Sequence, residues 1–283
     1  MEWWLNVSWV DVDHLQPIAQ EAERLGFGGL SMGDHLLYPG EIASRYPYMP
    51  DGKPNWTGQT HWPDNWVAIM AMAAVTTRLK FNTGVYIAPL RDPVSMAKSL
   101  STLSRLSGNR VLPGFGAGWM KEEFDIVGQR FDARGARMDE QIEVMRLLWS
   151  GEMVDYKGRF YEFPPVQMSP APLEPIPVYI GGLNDAALRR AARNDGWVGV
   201  HYGFDRTAEL IGQIRAYEKD FDKRTPCRMF MDVHGFEPGD TERYAELGVE
   251  FACMPLPTTP GKPGLDGKLE AMARCADQLG LQV

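Results

Sequence analysis

A histidine and an aspartate stand side by side in the segment Gly33-Asp34-His35, at the end of a predicted strand. An imidazole exchanges protons near neutral pH, which makes His35 the foremost candidate for acid–base chemistry. Adjacent side chains of a strand point to opposite faces, so Asp34 need not be the group that orients His35. We predict catalytic roles for His35 and Asp34, and the alternative for His35 is a satisfied structural histidine.

Glycine occupies every second position at the start of the segment GFGAGWMKEEF, residues 114–124. Glycine inside a strand weakens it and usually marks the close approach of a ligand or another backbone. Gly181 and Gly182 repeat the feature before a predicted helix, whose free N–H groups favour an anion such as phosphate. The two glycine-rich strand ends together predict a planar cofactor with a phosphate, and tight strand packing is the alternative.

Aromatic residues are dense in the long segment SRYPYMPDGKPNWTGQTHWPDNW, residues 44–66. Most connections between a strand and a helix are much shorter than this segment. Aromatic walls at the mouth of a barrel would cover a flat ligand and exclude water, whereas the alternative is a packed surface loop. The predicted substrate-binding residues are Tyr46, Tyr48, Trp56 and Trp66.

Histidines also end two later predicted strands, at His201 and His234, and Asp232 lies close to the second. Asp and His side chains from several strand ends are the ligands of a metal-dependent hydrolase. The first strand ends at Ser8-Trp9 without a ligand pair, and no lysine stands on a central strand as a bridging group. We keep the hydrolase as an alternative and predict no metal site.

Glu122 and Glu123 stand at the start of a predicted helix, where carboxylates interact favourably with the helix dipole. This interpretation requires no catalytic role for either glutamate. Several arginines on predicted helices are interpreted as solvent-exposed: Arg134, Arg137, Arg189, Arg190 and Arg193.

Eight apolar segments of strand length alternate with amphipathic helical patterns along the 283 residues. Such alternation produces parallel βαβ units, and eight units of this total length fit a (β/α)8 TIM barrel. A doubly wound dinucleotide-binding fold would carry a glycine-rich turn after its first strand, and this chain has none. In a barrel the carboxyl ends of the strands form the site, so the candidates above lie on one rim.

Residues 151–175 break the alternation, because a hairpin pattern that turns at Lys157-Gly158 precedes a proline-rich connector. We interpret this segment as an insertion after the fourth βα unit, within a single domain that spans residues 1–283. The net charge of −8 argues against a nucleic-acid surface, which needs clustered basic residues. Without a predicted membrane helix, signal peptide or cysteine pattern for metals, we expect a cytoplasmic protein with buried free thiols.

These segments resemble the bacterial luciferase-like superfamily, and most closely its deazaflavin (coenzyme F420)-dependent oxidoreductase branch. The similar stretches extend over nearly the whole chain, and they include LGFGGLSMGDHL, SRYPYMPDGKP, RLKFNTGVYIAPLRDPVSMAKSLSTLSRLSGNRVLPGFGAGWMKEEFD, RGARMDEQIEVMRLLWSG and PVYIGGLNDAALRRAARNDGW. The resemblance implies the same barrel with the same insertion. It also implies a site histidine, which His35 matches.

The resemblance further implies that a deazaflavin or flavin ring lies in the barrel mouth. The ring rests against a strand-three bulge with a non-prolyl cis peptide bond, whose matching positions are Gly84 and Val85. Other ring contacts match Gly116, Gly118 and Trp119, and the phosphate side matches Gly181, Gly182 and Leu183.

The implied function is hydride transfer between coenzyme F420 and a small organic substrate. Sugar-phosphate dehydrogenases of this branch carry a glutamate where this chain has Trp119, so a sugar phosphate is not the expected substrate. No single residue decides between F420 and FMN, and an FMN-dependent monooxygenase is therefore the alternative. Members of the branch often form dimers, which adds a homodimer to the expectations.

Overall fold

The protein is described by a computed structural model that covers residues 1–200, 203–222, 225–233 and 240–281. The candidate residues His201 and His234 lie outside the described residues. Within the described ranges the strands are β1 (Glu2–Asn6), β2 (Gly29–Met32), β3 (Lys80–Thr83), β4 (Tyr86–Ile87), β5 (Val111–Leu112), β6 (Gly114–Gly116), β7 (Met153–Lys157), β8 (Glu162–Gln167), β9 (Tyr179–Gly181), β10 (Gly196–Val200), β11 (Arg228–Asp232) and β12 (Val249–Pro255).

The helices follow the strands as the sequence pattern predicts. Their bounds are α1 (Leu15–Arg24), α2 (Asn65–Ala73), α3 (Pro93–Ser107), α4 (Lys121–Ile126), α5 (Arg134–Leu148), α6 (Asp185–Arg193), α7 (Phe204–Tyr217), α8 (Thr241–Glu246) and α9 (Leu265–Leu279). Short polar residues start several of them: the Asp64 carboxylate accepts N–H groups at the start of α2, and Asp92 does so for α3. No helix in the described part of the chain is long and apolar enough to cross a membrane.

One curled parallel sheet contains all strands except β7 and β8, in the order β4-β6-β9-β10-β11-β12-β1-β2-β3-β5. β5 pairs with β3, while β6 pairs with both β4 and β9. β3 and β4 are consecutive in the chain, and so are β5 and β6, so neighbouring chain segments stand at the two ends of this order. The structure therefore has an α/β fold whose parallel sheet curls around a common interior.

The third and fourth predicted strands are each divided into two segments, which continuous apolar patterns do not predict. Pro113 separates β5 from β6 and has no N–H group to donate to a neighbouring strand. A cis peptide bond joins Gly84 to Val85 between β3 and β4. The non-prolyl cis bond implied by the family resemblance is thus confirmed.

Two hydrophobic layers position the strands. Inside the curl, aromatic and aliphatic side chains from successive strands pack together: Trp4, Leu112, Tyr179, Val198, Phe230, Phe251 and Cys253. A larger core fills the space between the outer face of the sheet and the helices. Val85 lies on the inner layer and remains partly exposed, which places the break in the third strand at the top of the packed interior.

The connection from α2 to β3 depends on a carboxylate. Glu23 accepts N–H groups of Thr77, Arg78 and Leu79, at distances from Oε2 of 2.9, 2.6 and 2.8 Å. Partial burial acts to raise the pKa of Glu23, but the backbone donors and the Thr77 hydroxyl outweigh it and lower that pKa to about 2. Glu23 therefore fixes the entry of β3 into the sheet.

Residues 153–167 form the antiparallel hairpin β7–β8, which is separate from the main sheet. The buried carboxylate of Glu140 on α5 accepts N–H groups of Arg159, Phe160 and Tyr161 at the hairpin turn. The hairpin predicted from the Lys157-Gly158 turn is present, and α5 holds it.

Other sequence interpretations meet mixed outcomes. The three cysteines are buried and free, as predicted. The prediction of a solvent-exposed Arg137 is wrong, because only 5% of this residue is exposed and its guanidinium donates to the carbonyl oxygens of Arg130 and Pro89. Arg190 is similarly enclosed, since its guanidinium pairs with Asp139.

Candidate active site

His35 follows β2 and is paired with a carboxylate from a distant part of the chain. Its Nδ1 lies 3.0 Å from Oε2 of Glu123, and the residues are 7% and 0% exposed. Oε1 of Glu123 accepts the N–H of Leu36 at 2.7 Å. Glu123 therefore fixes both the imidazole ring and the backbone that follows it.

The contact between Glu123 and His35 was not predicted from the sequence, because the helix dipole already accounts for an acidic pair at a helix start. A signal was nevertheless available. Adjacent helical residues point about 100° apart, by the 3.6-residue period, so Glu122 and Glu123 cannot share one solvent-facing direction. The neighbouring Phe124 is fully buried. Around the helix, Glu123 lies about 100° from Phe124 and Glu122 about 200° from it, so Glu123 is the glutamate nearer the buried side.

Glu122 has a different task. Its Oε1 accepts the N–H groups of Ala43 and Ser44 at 2.7 and 3.0 Å, while the Ser44 hydroxyl accepts the N–H of Lys121 at 3.0 Å. The two glutamates of α4 thus attach two different parts of the segment after β2. Glu122 has no contact with His35 and provides a natural comparison for Glu123.

Asp34 points away from His35 and binds Arg91. Its two carboxylate oxygens face both terminal nitrogens of the guanidinium, and Oδ2 also accepts the N–H of Ile87 at 2.8 Å. Burial raises the pKa of Asp34, and the charge of Arg91 opposes that shift. These contacts connect the end of β2 to β4, and the catalytic role of Asp34 stays a prediction.

Six aromatic residues form a connected group of which three contact His35, and we call them the aromatic cluster: Trp9, Tyr46, Tyr48, Trp56, Trp62 and Trp119. The His35 ring centroid lies 4.9 Å from both Trp56 and Trp62 and 5.8 Å from Trp119. Tyr46 lies 5.0 Å from both Trp56 and Trp119. Three predicted wall residues, Tyr46, Tyr48 and Trp56, therefore belong to one group around His35.

Trp66 does not join this cluster, and its role as a substrate-binding residue stays a prediction. It lies on α2, is 7% exposed and packs on Tyr86 with ring centroids 4.6 Å apart. Trp62 from the same segment takes the position beside His35 instead. Counting aromatic residues in the loop could not separate the two, because Asp64 starts α2 between them and turns Trp66 into the core.

The glycines of the segment 114–118 face the third strand. A side chain at Gly116 would meet Cγ2 of Val85 at 2.4 Å, and one at Gly118 would meet Cγ2 of Ile87 at 2.7 Å. A Cβ at Gly114 would lie 2.2 Å from the carbonyl oxygen of Thr83. The glycines thus make room for successive residues of the broken strand, and the cofactor contacts of Gly116 and Gly118 stay predictions.

Val85 is enclosed by glycines on two sides. A Cβ at Gly181 would meet its Cγ1 at 2.5 Å, opposite the contact with Gly116. Gly84 is itself exposed, and a side chain there would meet the Ser31 hydroxyl at 2.8 Å. Few side chains therefore project from the surface around Val85, which we call the platform. A flat ring system fits against such a surface.

The proposed phosphate end has a polar helix start with one donor already used. Gly182 has a φ of 118°, a conformation that favours glycine. The Asn184 side chain accepts the N–H of Ala187 at 2.9 Å and so caps α6. Any anion at Gly181, Gly182 and Leu183 would have to bind the remaining donors of this turn.

Polar side chains also lie on β1, β2, β3 and β11. Asn6 Nδ2 donates to Oδ2 of Asp232 at 3.3 Å, and the Ser31 hydroxyl donates to Oδ1 of Asn82 at 3.0 Å. Burial, with contributions from Tyr48 and Asp232, raises the pKa of Tyr46 to about 12. The phenol of Tyr46 is therefore neutral at physiological pH and can donate a hydrogen bond.

The metal-hydrolase alternative depends on residues that lie partly outside the described ranges. Among the residues that the structure describes, no three His, Cys, Asp or Glu side chains converge as metal ligands. Asp232, the described member of that predicted set, interacts with Asn6.

Many known proteins are similar to this sequence, and two of them illustrate the similarity. An uncharacterized protein of Mycobacterium tuberculosis is 38% identical over 234 residues, covering 82% of this chain and 81% of the relative. An F420-dependent glucose-6-phosphate dehydrogenase of Nakamurella multipartita is 29% identical over 275 residues, covering 95% and 76%.

Solved structures share the fold at low sequence identity. The monooxygenase RslO1 from Streptomyces bottropensis superimposes with a TM-score of 0.77 at 18% identity, over 99% of this chain and 98% of the other. An F420-dependent secondary alcohol dehydrogenase, in complex with an F420–acetone adduct, gives the same TM-score at 15% identity over 98% of both chains.

The sequence profile described as luciferase-like monooxygenase matches residues 6–233, which include the His35–Glu123 pair, the broken third strand and the glycine-rich strand ends. This match covers well over half of the chain. The resemblance inferred from the motifs is thereby confirmed, and the chain belongs to the luciferase-like monooxygenase family.

Proposed function

We propose that this protein is an oxidoreductase that transfers a hydride between coenzyme F420 and a small organic substrate. The observation that carries the proposal is that the glycine-lined platform at Val85 and the buried His35–Glu123 pair follow the paired strands β3 and β2. The F420-dependent relative supports the choice of cofactor. The family also contains monooxygenases, so FMN-dependent oxygenation is the second candidate.

The chain offers separate surfaces for the parts of a bound deazaflavin. Gly84 and Val85 would support the ring, with Gly116 and Gly118 holding the third strand in position behind it. Trp119 would border the ring, and Gly181, Gly182 and Leu183 would hold the phosphate. Bound there, the deazaflavin would supply or accept the hydride, since cofactors carry this chemistry and proteins supply its orientation.

His35 is the proposed proton donor and acceptor for the substrate. When Nδ1 donates to the Glu123 carboxylate, Nε2 is the ring nitrogen left to exchange a proton with a substrate oxygen. The carboxylate also stabilises the imidazolium that precedes proton donation. Trp56 and Trp62 pack against the imidazole and leave little of it exposed to solvent.

Asp34 would act indirectly, through Arg91 and Ile87. Its contacts hold β4 against the end of β2, so that the platform at Val85 and the imidazole of His35 keep a fixed separation. The complete eight-stranded (β/α)8 barrel, the insertion at 151–175, the cytoplasmic location and the homodimer stay predictions.

Side-by-side titration with oxidised F420 and with FMN tests the cofactor. Binding is followed by the fluorescence of each cofactor and by quenching of tryptophan fluorescence. We expect tighter binding of F420. Equal or tighter binding of FMN, together with oxygen consumption by the reduced complex, would instead support the monooxygenase.

A further inference from the structure

We propose that the open side of the aromatic cluster binds the substrate, and that the substrate is an uncharged, ring-bearing carbonyl compound or the corresponding alcohol. This inference rests on the proposed function for its chemistry and extends it to the substrate class. It depends on three observations: the arrangement of the rings, their exposure, and the charges around them.

The cluster has a buried side and an open side. Trp56 is 6% exposed and contacts four other rings of the cluster, at centroid distances from 5.0 to 6.2 Å. Trp9 and Tyr48 are 45% and 38% exposed, and Tyr46 and Trp119 are intermediate. The exposed ring faces therefore belong to the same cluster as the rings that contact His35, and they suit a flat apolar partner.

No arginine that the structure describes stacks its guanidinium on a ring of the aromatic cluster. In the described ranges, arginine guanidinium groups stack on rings elsewhere, such as Arg91 on Tyr86 and Arg134 on Phe131. Arg45 lies in the same loop, but its guanidinium donates to the carbonyl oxygen of Pro50 at 3.5 Å.

Three carboxylates lie among the charged groups near the cluster. Glu123 pairs with His35, Glu122 holds the backbone at Ala43 and Ser44, and Asp232 is close enough to shift the pKa of Tyr46. An anion such as a sugar phosphate would face these carboxylates, while the guanidinium groups of Arg45 and Arg134 already donate to the carbonyl oxygens of Pro50 and Gly118. An uncharged ring-bearing molecule pays no such electrostatic cost.

The deazaflavin and His35 together account for the hydride and the proton of the reaction. In the reductive direction the carbonyl carbon gains a hydride from the reduced deazaflavin, the C=O double bond becomes a single bond, and the oxygen takes a proton from His35. The deazaflavin is oxidised by the loss of that hydride, and His35 later regains a proton from solvent. The alcohol is oxidised by the reverse sequence.

The test compares acetophenone with 4-acetylbenzoate, which have the same ring and ketone and differ by one carboxylate. Binding to the full-length protein, with and without oxidised F420, is measured by saturation-transfer NMR. We expect acetophenone to bind at least about tenfold more tightly, a factor that corresponds to about 1.4 kcal/mol. Equal or tighter binding of 4-acetylbenzoate would overturn the substrate class.

Two variants locate the site. Tyr46→Ala and Tyr48→Ala should each weaken acetophenone binding by roughly three- to tenfold, the range expected from one aromatic pair. Tyr48 is exposed, so its variant should fold even if that of Tyr46 does not. Phe160→Ala on the hairpin turn is the matched control and should bind like wild type. Unchanged affinity in a folded Tyr48→Ala protein, or equal loss in Phe160→Ala, would place binding elsewhere.

The F420 titration separates this inference from the proposed function. Acetophenone binding without any F420 binding would refute the hydride-transfer function and retain the aromatic site. F420 binding without acetophenone binding would retain the function and refute the substrate class.

Discussion

Replacing Glu123 by Gln tests the role that the structure gives to this buried carboxylate. The side chain keeps its shape, and its carbonyl oxygen can still accept the N–H of Leu36. Its amide nitrogen then faces Nδ1 of His35 and donates to it. His35 must accept at Nδ1 and carry its proton at Nε2, so a charge-assisted hydrogen bond is replaced by a neutral one.

The expected magnitude follows from that hydrogen bond. A hydrogen bond to a charged group contributes about 1.5–3 kcal/mol, roughly 1 kcal/mol more than a neutral bond, and each 1.36 kcal/mol changes a rate tenfold. Removing the charge should therefore slow hydride transfer by roughly fivefold. The affinity for F420 should change far less, because Glu123 contacts His35 and Leu36 rather than the platform at Val85.

The assay is a single turnover of reduced F420 with a ketone substrate, followed by absorbance in H2O and in D2O. The solvent isotope effect should increase in Glu123→Gln, because proton donation by His35 becomes the slower event. Glu122→Gln is the matched control, since it removes a neighbouring carboxylate that attaches Ala43 and Ser44. A rate within twofold of wild type, or an equal loss in Glu122→Gln, would refute the proposed pairing.

Three further perturbations give separate expectations. His35→Ala should lower the single-turnover rate by about 10²–10⁴-fold with little change in F420 affinity, and a wild-type rate would show that the proton comes from elsewhere. Gly116→Val should abolish F420 binding in a folded protein, since the added side chain displaces Val85 at a packing cost of about 1–3 kcal/mol; near-native affinity, measured by fluorescence titration, would argue against the platform. Glu23→Gln should lower the free energy of unfolding by about 1 kcal/mol at pH 7, a value reduced for solvent screening. Because the folded pKa of Glu23 is lowered to about 2 from 4.5, this difference should be complete above pH 4.5 and disappear as the pH falls toward 2. Urea unfolding at pH 7 and pH 2 measures it, and a difference that is undiminished at pH 2 would exclude the carboxylate charge as its cause.

Features that depend on neighbouring residues could be predicted from the sequence alone. The alternation of strand and helix patterns predicted the α/β fold and its parallel sheet, and the turn at Lys157-Gly158 predicted the hairpin. Family-specific segments located the cis bond at Gly84–Val85 and the rim position of His35. These features are readable because periodicity, turn residues and local motifs act within a few residues of the chain.

Which side chains meet at the candidate active site could be read only from the tertiary structure. His35 and Glu123 are 88 residues apart, and a carboxylate at a helix start looks the same in a sequence whether it faces solvent or an imidazole. The glycines at 114–118 indicated a close approach but not that the third strand makes it. Trp62 and Trp66 differ in role because α2 begins between them. Such contacts are set by the packing of whole strands and helices, which places distant residues together and leaves no local pattern at either one.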